Sequence, residues 1–387
     1  MSYKVDVMIL YILFFCICFL IEHIKGRKNK FYIFLVVSLF GFLCFGYMTG
    51  SDWRGYEELY LTQSFLRIES TGEIGFIYAA QFFSRFIPDF WLFNGLMKCL
   101  YLATLIRFLM YFTTKPYVSI ALGFANSLLF MLIDCPMRFM MAMTLVLFSI
   151  ILLLKKRSKF HIVISIVFLL LSVTLHTAMV IMVGFVLLAF FAPLFSKLHP
   201  VYVFLFFIGT ILLASFSGIF DFLFDNFIPM LGEERFDAYT HKEQSTLMTV
   251  NTIKYVVLLL ILLANKKSIL SCKYGEYIYF YACLYFVFFP ITYSIPTMFR
   301  LNIFFGYFAD ISFAYLLFEG NRAKTRRQFE NTIIIAMTLF MLCRNCYNDY
   351  KLTPYSNSIP YIIKGDHLPY SYRDSYNPNH HDAEFWF

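Results

Sequence analysis

Long apolar segments alternate along the chain with short polar or basic ones. Most of the apolar segments contain about 16–22 residues, and a helix needs about 20 apolar residues to cross the hydrocarbon core of a bilayer. The pattern predicts membrane helices near residues 5–24, 31–49, 90–112, 117–134, 137–154, 159–175, 177–195, 201–217, 251–265, 274–293, 298–318 and 329–346. We therefore predict an all-α fold, a polytopic transmembrane helix bundle with about 12 crossings and a range of roughly 10–13.

One further apolar segment, EIGFIYAAQFFSRFIP, is shorter than the others and is interrupted by Gln81 and Arg85. A crossing at this segment would also move the basic residues Lys155–Lys159 to the outer side of the membrane. We therefore expect a re-entrant or interfacial helix near residues 73–88.

Short basic segments set the predicted orientation, because positively charged loops stay on the cytoplasmic side. Four such segments separate predicted helices: Lys25–Lys30, Lys155–Lys159, Lys266–Lys273 and Asn321–Gln328. With all four inside, both termini and two longer loops, at about 50–73 and 218–250, face outward. Since no small-residue cleavage site follows the first apolar segment, we expect that segment to be a retained helix.

The C-terminal part of the chain is more polar than the rest. We predict a single transmembrane domain over residues 1–346, followed by a polar, tyrosine-rich C-terminal tail at 347–387. Of all 387 residues, 60% are hydrophobic and only 14% are charged, against about 25% charged residues in soluble domains. The formal net charge of +8 lies mostly in the short loops, so it does not indicate a nucleic-acid partner.

The sequence offers little that would bind a metal ion or a nucleotide. Glycine-rich phosphate loops, DxD and HExxH motifs and the GxSxG nucleophile motif are absent from it. Cys343 and Cys346 form one CxxC pair with no second pair, and His380 and His381 have no further ligands nearby in sequence. We therefore expect no metal site and no cofactor, and we interpret the cysteines as small core residues.

Ionisable residues border the apolar segments, and in the predicted topology they share the outer face. The set comprises Asp52, Arg54, Glu73, Asp134, Arg138, His176 and Arg300. Such side chains are unfavourable at membrane depth, and they usually line a cavity or a substrate path. Each of these residues alone has a simpler interpretation. Arginines contact lipid phosphates, and histidine and aspartate satisfy helix ends. The neighbouring Trp53 and Tyr56 fit an interfacial aromatic belt. Their convergence on one face favours a site.

These residue types suit the chemistry of a phosphorylated lipid. An arginine guanidinium binds phosphate oxygens through two hydrogen bonds and keeps its proton. A lipid-linked diphosphate gains charge as its bond to a sugar breaks, so arginines beside it favour the transition state. A histidine or a carboxylate could accept the proton of an attacking sugar hydroxyl, and Trp53, Tyr56 and Tyr60 could stack on sugar rings. The pattern predicts one wall of an outward-facing glycan site.

Short motifs at these positions resemble the EpsG-like family of bacterial membrane proteins, which includes Wzy-type O-antigen and capsule polymerases. The motifs are TGSDWRGYEELY at 49–60, Glu73-Ile-Gly-Phe76, Pro136-Met-Arg138-Phe-Met-Met-Ala142, Leu175-His176-Thr-Ala178, Phe299-Arg300 through Tyr307-Phe308, and Thr353-Pro354-Tyr355. Their order and spacing cover roughly residues 40–355.

The resemblance implies a multi-pass protein of the bacterial inner membrane with its active site facing the periplasm. Such a protein is a polysaccharide polymerase, a metal-independent membrane glycosyltransferase that joins undecaprenyl-diphosphate-linked oligosaccharide repeat units for O-antigen or capsule. Its expected partners are the lipid-linked oligosaccharide, membrane lipid, a flippase, a chain-length regulator and a ligase.

The expected site follows from both lines of reasoning. Arg138 and Arg300 would hold the diphosphates of donor and acceptor, and His176 would be the base or would position it. Asp52 and Glu73 would organise the acceptor sugar. Arg54, Trp53 and Tyr56 would lie beside that sugar.

Two other functions use similar groups. A lipid-linked oligosaccharide flippase or other transporter would bind the same diphosphate in a cavity that opens to each side in turn. A membrane O-acyltransferase would also use a histidine, but nothing in the sequence marks a path for its acyl donor.

Overall fold

The computed structural model describes residues 2–24, 29–50, 52–62, 73–155, 158–215, 250–294, 299–320, 322–348, 352, 355–369 and 372–373. These residues form two compact units. The first contains the described residues up to Val186 and those from Thr338 onward, and the second contains those of Leu187–Met337. The prediction of one transmembrane domain over 1–346 stays a prediction.

The first unit is built of helices with one small pair of strands. Its elements are α1 (Ser2–His23), α2 (Lys30–Cys44), β1 (Gly46–Tyr47), α3 (Trp53–Thr62), α4 (Ile74–Ser84), α5 (Phe90–Phe112), α6 (Pro116–Phe124), a π-helix (Phe130–Asp134), α7 (Met137–Lys155), α8 (Lys159–Leu175) and α9 (Met179–Leu187). Helix α7 packs against both α5 and α8, and α3 and α4 lie beside one another. Helix α4 also contacts α8, so these helices surround the region that is described below as a site.

The second unit contains further apolar helices. A 3-10 helix (Leu188–Phe191) leads into α10 (Ala192–Phe195), followed by α11 (Pro200–Ser215), α12 (Val250–Ala264), α13 (Lys266–Leu270), α14 (Gly275–Ser294), α15 (Phe299–Phe318) and α16 (Lys324–Asn348), whose last turns belong to the first unit. Helix α14 is central within this unit, because α10, α11, α12, α13 and α15 all pack against it.

The chain returns to the first unit within α16, at Thr338. There, β2 (Ser356–Asn357) pairs antiparallel with β1, with Gly46 opposite Asn357 and Tyr47 opposite Ser356. A short helix, α17 (Ile359–Lys364), follows β2.

The all-α, membrane-type fold agrees with the prediction. Within the described residues, three helices are long and apolar enough to cross a membrane, namely Asp6–His23 within α1, α5 and α7, and several shorter helices are also apolar. Helix α4 has 11 residues, or about 16 Å at 1.5 Å per residue. It is therefore shorter than the hydrocarbon core of about 30 Å.

One predicted helix is interrupted in the structure. The segment predicted at 117–134 ends its α-helix at Phe124, turns at residues 125–127 and continues as the π-helix. The prediction of one unbroken helix was wrong there, because a uniformly apolar run does not reveal a local change in backbone hydrogen bonding. The helix predicted at 177–195 is confirmed as an apolar helix over Met179–Phe195, with the 3-10 helix inside it.

The predicted outer loop at 50–73 contains a helix, α3, over the residues from Trp53 to Thr62. The other predicted outer loop, 218–250, lies outside the described residues except for Val250, which begins α12.

Candidate active site

The first unit gathers several of the predicted polar residues around Glu73, which immediately precedes α4. The Glu73 side chain is 2% exposed and forms an ion pair with the guanidinium Nη1 of Arg138. Its other oxygen, Oε1, accepts a hydrogen bond of 3.3 Å from the backbone N–H of Thr177. A buried carboxylate needs such compensation, since an unpaired charge away from water is strongly unfavourable. Glu73 is therefore fully engaged by groups of the protein.

Arg138 lies in the first turn of α7 and is held from two sides. Besides its ion pair with Glu73, its Nε donates a hydrogen bond of 3.0 Å to the Tyr56 hydroxyl on α3. The carboxylate of Asp52 lies within electrostatic range of the same guanidinium. The Arg138 side chain remains 22% exposed, and among the described residues its Nη2 group has no hydrogen-bond partner. The Nη2 group of a fixed guanidinium is therefore available to a ligand.

His176 directly follows the last residue of α8 and lies beside the Glu73 carboxylate. Its Nδ1 lies 3.6 Å from Glu73 Oε1 and accepts a hydrogen bond of 3.2 Å from the backbone N–H of Ala178. The ring packs edge-on against Phe139, with 5.5 Å between ring centroids. A backbone N–H can only donate, so Nδ1 is unprotonated in this arrangement and the neutral ring carries its proton on Nε2. In this tautomer the N–H donor of the imidazole is Nε2.

The break before α7 places Arg138. Cys135 adopts a left-handed conformation at φ 55°, and Pro136 follows it immediately before α7, where its fixed φ suits a helix start. The segment before Asp52 packs on this break, because the Thr49 hydroxyl donates to the Ile133 carbonyl at 3.3 Å. Gly50 has φ +77° and approaches the backbone of Asp134 so closely that a Cβ there would collide.

Of the eight predicted site residues, four form a series of contacts in which Tyr56 bonds to Arg138, Arg138 to Glu73, and Glu73 lies beside His176. Asp52, half-buried, precedes α3. Trp53 and Arg54 are buried on α3, with the Arg54 guanidinium carbon 4.7 Å from the Trp53 ring centroid. Arg300 lies in the second unit, half-exposed in the first turn of α15. Their assignment to a site stays a prediction.

The aromatic residues of α3 are packed inside the first unit. Trp53 is 4% exposed and lies 5.3 Å from Trp91 between ring centroids. Tyr60 donates a hydrogen bond of 2.6 Å to the Ile87 carbonyl. Burial, helped by the charge of Asp89, raises the pKa of Tyr60 to about 12, so it stays protonated at neutral pH. In this conformation these rings support the helix.

A second buried polar cluster adjoins α3, and sequence reasoning missed it. Glu57 forms an ion pair with Arg373, both side chains being buried, and its other oxygen accepts a hydrogen bond of 3.0 Å from Trp91 Nε1. Asp89 caps α5 and contacts His367 Nε2 at 2.8 Å. Glu57 lies within the sequence motif at 49–60, so that motif could have drawn attention to it. No local pattern marks Arg373, which lies 316 positions further along the chain.

Among the described residues, no group of three or more His, Cys, Asp or Glu side chains is arranged to hold a metal ion.

A helical fold with three helices, among the described residues, that are long and apolar enough to cross a membrane is that of a multi-pass membrane protein. Comparison with protein families matches residues 29–362 to the EpsG family, so this chain belongs to the EpsG family. EpsG-like proteins resemble Wzy-type polymerases, and the chain is accordingly a polymerase-like membrane protein of polysaccharide biosynthesis. No curated protein and no solved structure matches it.

Proposed function

We propose that this protein is a polysaccharide polymerase of the bacterial inner membrane. It transfers a growing glycan from undecaprenyl diphosphate onto a second lipid-linked oligosaccharide unit at the periplasmic face. The proposed topology has about 12 crossings with the basic loops inside. Family membership supports the general activity, and the arrangement around Arg138 supports the proposed substrate class.

The observation that carries the proposal is the Arg138 guanidinium, which Glu73 and Tyr56 fix through Nη1 and Nε and whose Nη2 group has no partner among the described residues. A guanidinium held in this way is preorganised to donate from Nη2 to a phosphate oxygen. It lies in the first turn of α7, where the partial positive charge of the helix start also favours an anion. A lipid diphosphate at headgroup depth fits both properties.

The proposed step balances as a substitution at the anomeric carbon of the donor. An acceptor hydroxyl forms the new C–O bond, and the bond from that carbon to the diphosphate oxygen breaks. The leaving diphosphate takes the electron pair, and the hydroxyl proton passes to a base. Arg138 stabilises the charge that develops on the diphosphate. A role for Arg300 in holding the second diphosphate is proposed on the family resemblance.

The geometry favours separate roles for the histidine and the carboxylates. The Nε2–H group of His176 donates a hydrogen bond to an oxygen of the leaving group, because its Nδ1 already accepts from Ala178. Asp52, half-buried and within electrostatic range of Arg138, accepts the hydroxyl proton. Glu73 and Tyr56 position Arg138, and Trp53 and Arg54 support the helix that carries Tyr56.

The test is complementation of a strain that lacks the gene, with the polysaccharide resolved on a gel. We expect Arg138→Ala, His176→Ala and Arg300→Ala each to abolish long chains, whereas Arg107→Ala, an exposed arginine of α5, leaves them intact. Long-chain ladders in all three variants would contradict the site.

The deletion strain itself separates this proposal from the transporter. Loss of a polymerase leaves single repeat units attached to the acceptor outside. Repeat units stranded on the cytoplasmic side would identify a flippase instead.

A further inference from the structure

The last described segment of the chain is folded onto the first unit. We call residues 355–369 with 372–373 the C-terminal strap. The backbone N–H of Ser358 donates to the Phe45 carbonyl at 2.7 Å, and the Tyr355 hydroxyl donates to the Phe42 carbonyl at 2.7 Å. The strap is thus tied to the end of α2 and to the strand pair before α3.

The strap delivers one buried cation, Arg373, to α3. Its side chain is 7% exposed, and it forms the ion pair with Glu57 while Nε donates to the Leu368 carbonyl at 2.7 Å. The guanidinium carbon lies 5.5 Å from the Trp53 ring centroid and 5.9 Å from that of Trp91. Two buried charges that are paired and further hydrogen-bonded hold a defined geometry.

Glu57 connects this cation to the proposed site. It is the neighbour of Tyr56 on α3, a helix of ten residues. A helix this short has little stability of its own, so tertiary contacts fix its position. Tyr56 in turn accepts the hydrogen bond from Arg138 Nε at 3.0 Å. The position of Tyr56 therefore depends on what holds Glu57.

We propose that Arg373 is a positioning residue that acts through Glu57 and α3 to keep Tyr56 in hydrogen-bonding register with Arg138. The strap is then a part of the active-site scaffold. This inference rests on the proposed function of the Arg138 site. Arg373 itself touches neither the substrate nor the reacting atoms.

The test compares Arg373→Gln, Glu57→Gln and the double variant in the complementation assay, with polymer measured per molecule of membrane-inserted protein. Each single variant leaves one buried charge without its partner, whereas the double variant restores a neutral, hydrogen-bonded pair. We expect a loss of about tenfold to a hundredfold in polymer for each single variant, as for a small displacement of a positioned group. The double variant should recover most of the polymer. Arg107→Gln is the control for loss of an arginine.

A second readout does not depend on activity. With 3-fluorotyrosine at position 56, the fluorine signal reports the contact between the Tyr56 hydroxyl and Arg138. We expect Arg373→Gln to move this signal toward that of Arg138→Met, and the double variant to return it. An unchanged signal in Arg373→Gln overturns the inference, as does a double variant that makes no more polymer than the single variants.

Failure of this inference is distinguishable from failure of the proposed function. If Arg138→Ala abolishes polymer but Arg373→Gln matches the wild type, only the positioning role falls. If Arg138→Ala leaves polymer intact while the fluorine signal responds to Arg373, the structural link stands and the proposed site falls.

Discussion

Glu73 and Arg138 form an ion pair across 65 positions of sequence, and the same carboxylate receives the backbone N–H of Thr177. One buried acid therefore ties together the start of α4, the first turn of α7 and the turn after α8. The predicted role of Glu73 at the acceptor sugar stays a prediction. Its oxygens bond to Arg138 and Thr177, which supports a positioning role.

Glu73→Gln tests this role. The amide can still accept from Thr177 but no longer balances the charge of Arg138, so we expect roughly 1–3 kcal/mol of lost stability and loss of long-chain polymer. Chemical denaturation of the purified protein and the polysaccharide gel measure the two effects. Glu58→Gln removes an exposed acid from α3 and is the matched control. Equal behaviour of the two variants would contradict the role of Glu73.

The protonation of His176 is directly measurable. Because Ala178 donates to Nδ1, ¹⁵N NMR of labelled histidine in the purified protein should show the Nε2–H tautomer at neutral pH. His176→Gln retains a side-chain N–H donor, so we expect it to keep more polymerase activity than His176→Ala. A proton on Nδ1, or equal inactivity of the two variants, would favour histidine as the base.

Helix bounds were predictable because their signals are local. Helix α5 begins after Asp89, whose Oδ1 accepts from the N–H groups of Trp91 at 2.7 Å and Leu92 at 3.0 Å. Helix α8 begins after Ser158 and ends before His176, and both helices have the predicted bounds. An apolar run with a capping residue identifies such a helix from sequence alone.

The interruption before α7 and the partners of α3 were not predictable in the same way. The apolar residues up to Asp134 continue past the point where the α-helix stops at Phe124. The Glu57–Arg373 pair joins segments with no shared local pattern, and only folding of the chain brings them together. Within the site, the charged residue types indicated phosphate chemistry, but their hydrogen bonds decided which of them remain available to a ligand.

The second unit has its own buried charge cluster. It includes arginines of the basic segment Asn321–Gln328, which overlaps the start of α16. Glu330 forms ion pairs with Arg322 and Arg326 and accepts from Asn265 at 2.9 Å. Arg327 donates to the Phe318 carbonyl at 2.9 Å, so it satisfies the end of α15. These arginines therefore have structural partners within the second unit.

Glu330→Gln should therefore destabilise the protein without changing chemistry. The Arg322 side chain is only 3% exposed, and leaving such a charge without its partner costs roughly 3–5 kcal/mol. Denaturation should show this loss, while polymer per folded molecule stays at the wild-type level. Lys324→Gln changes an exposed charge in the first turn of the same helix and should be neutral. A neutral Glu330→Gln would show that the cluster does not stabilise this unit.

Cys272, between α13 and α14, gives a pH-dependent measure of the loop's burial. Burial raises the pKa of its thiol to about 11, and the Sγ–H group donates to the Ile269 carbonyl at 2.9 Å. Maleimide reacts with the thiolate, so at pH 8 labelling should be about a hundredfold slower than for an exposed cysteine and should accelerate as the pH rises toward that pKa. The measurement needs a variant whose only cysteine is Cys272. The exposed control lacks all native cysteines and carries Ser271→Cys. Equal labelling rates for Cys272 and the control at pH 8 would mean that the Cys272 thiol is open to water. If only a reagent confined to the periplasm reacted, the proposed orientation of this loop would be reversed.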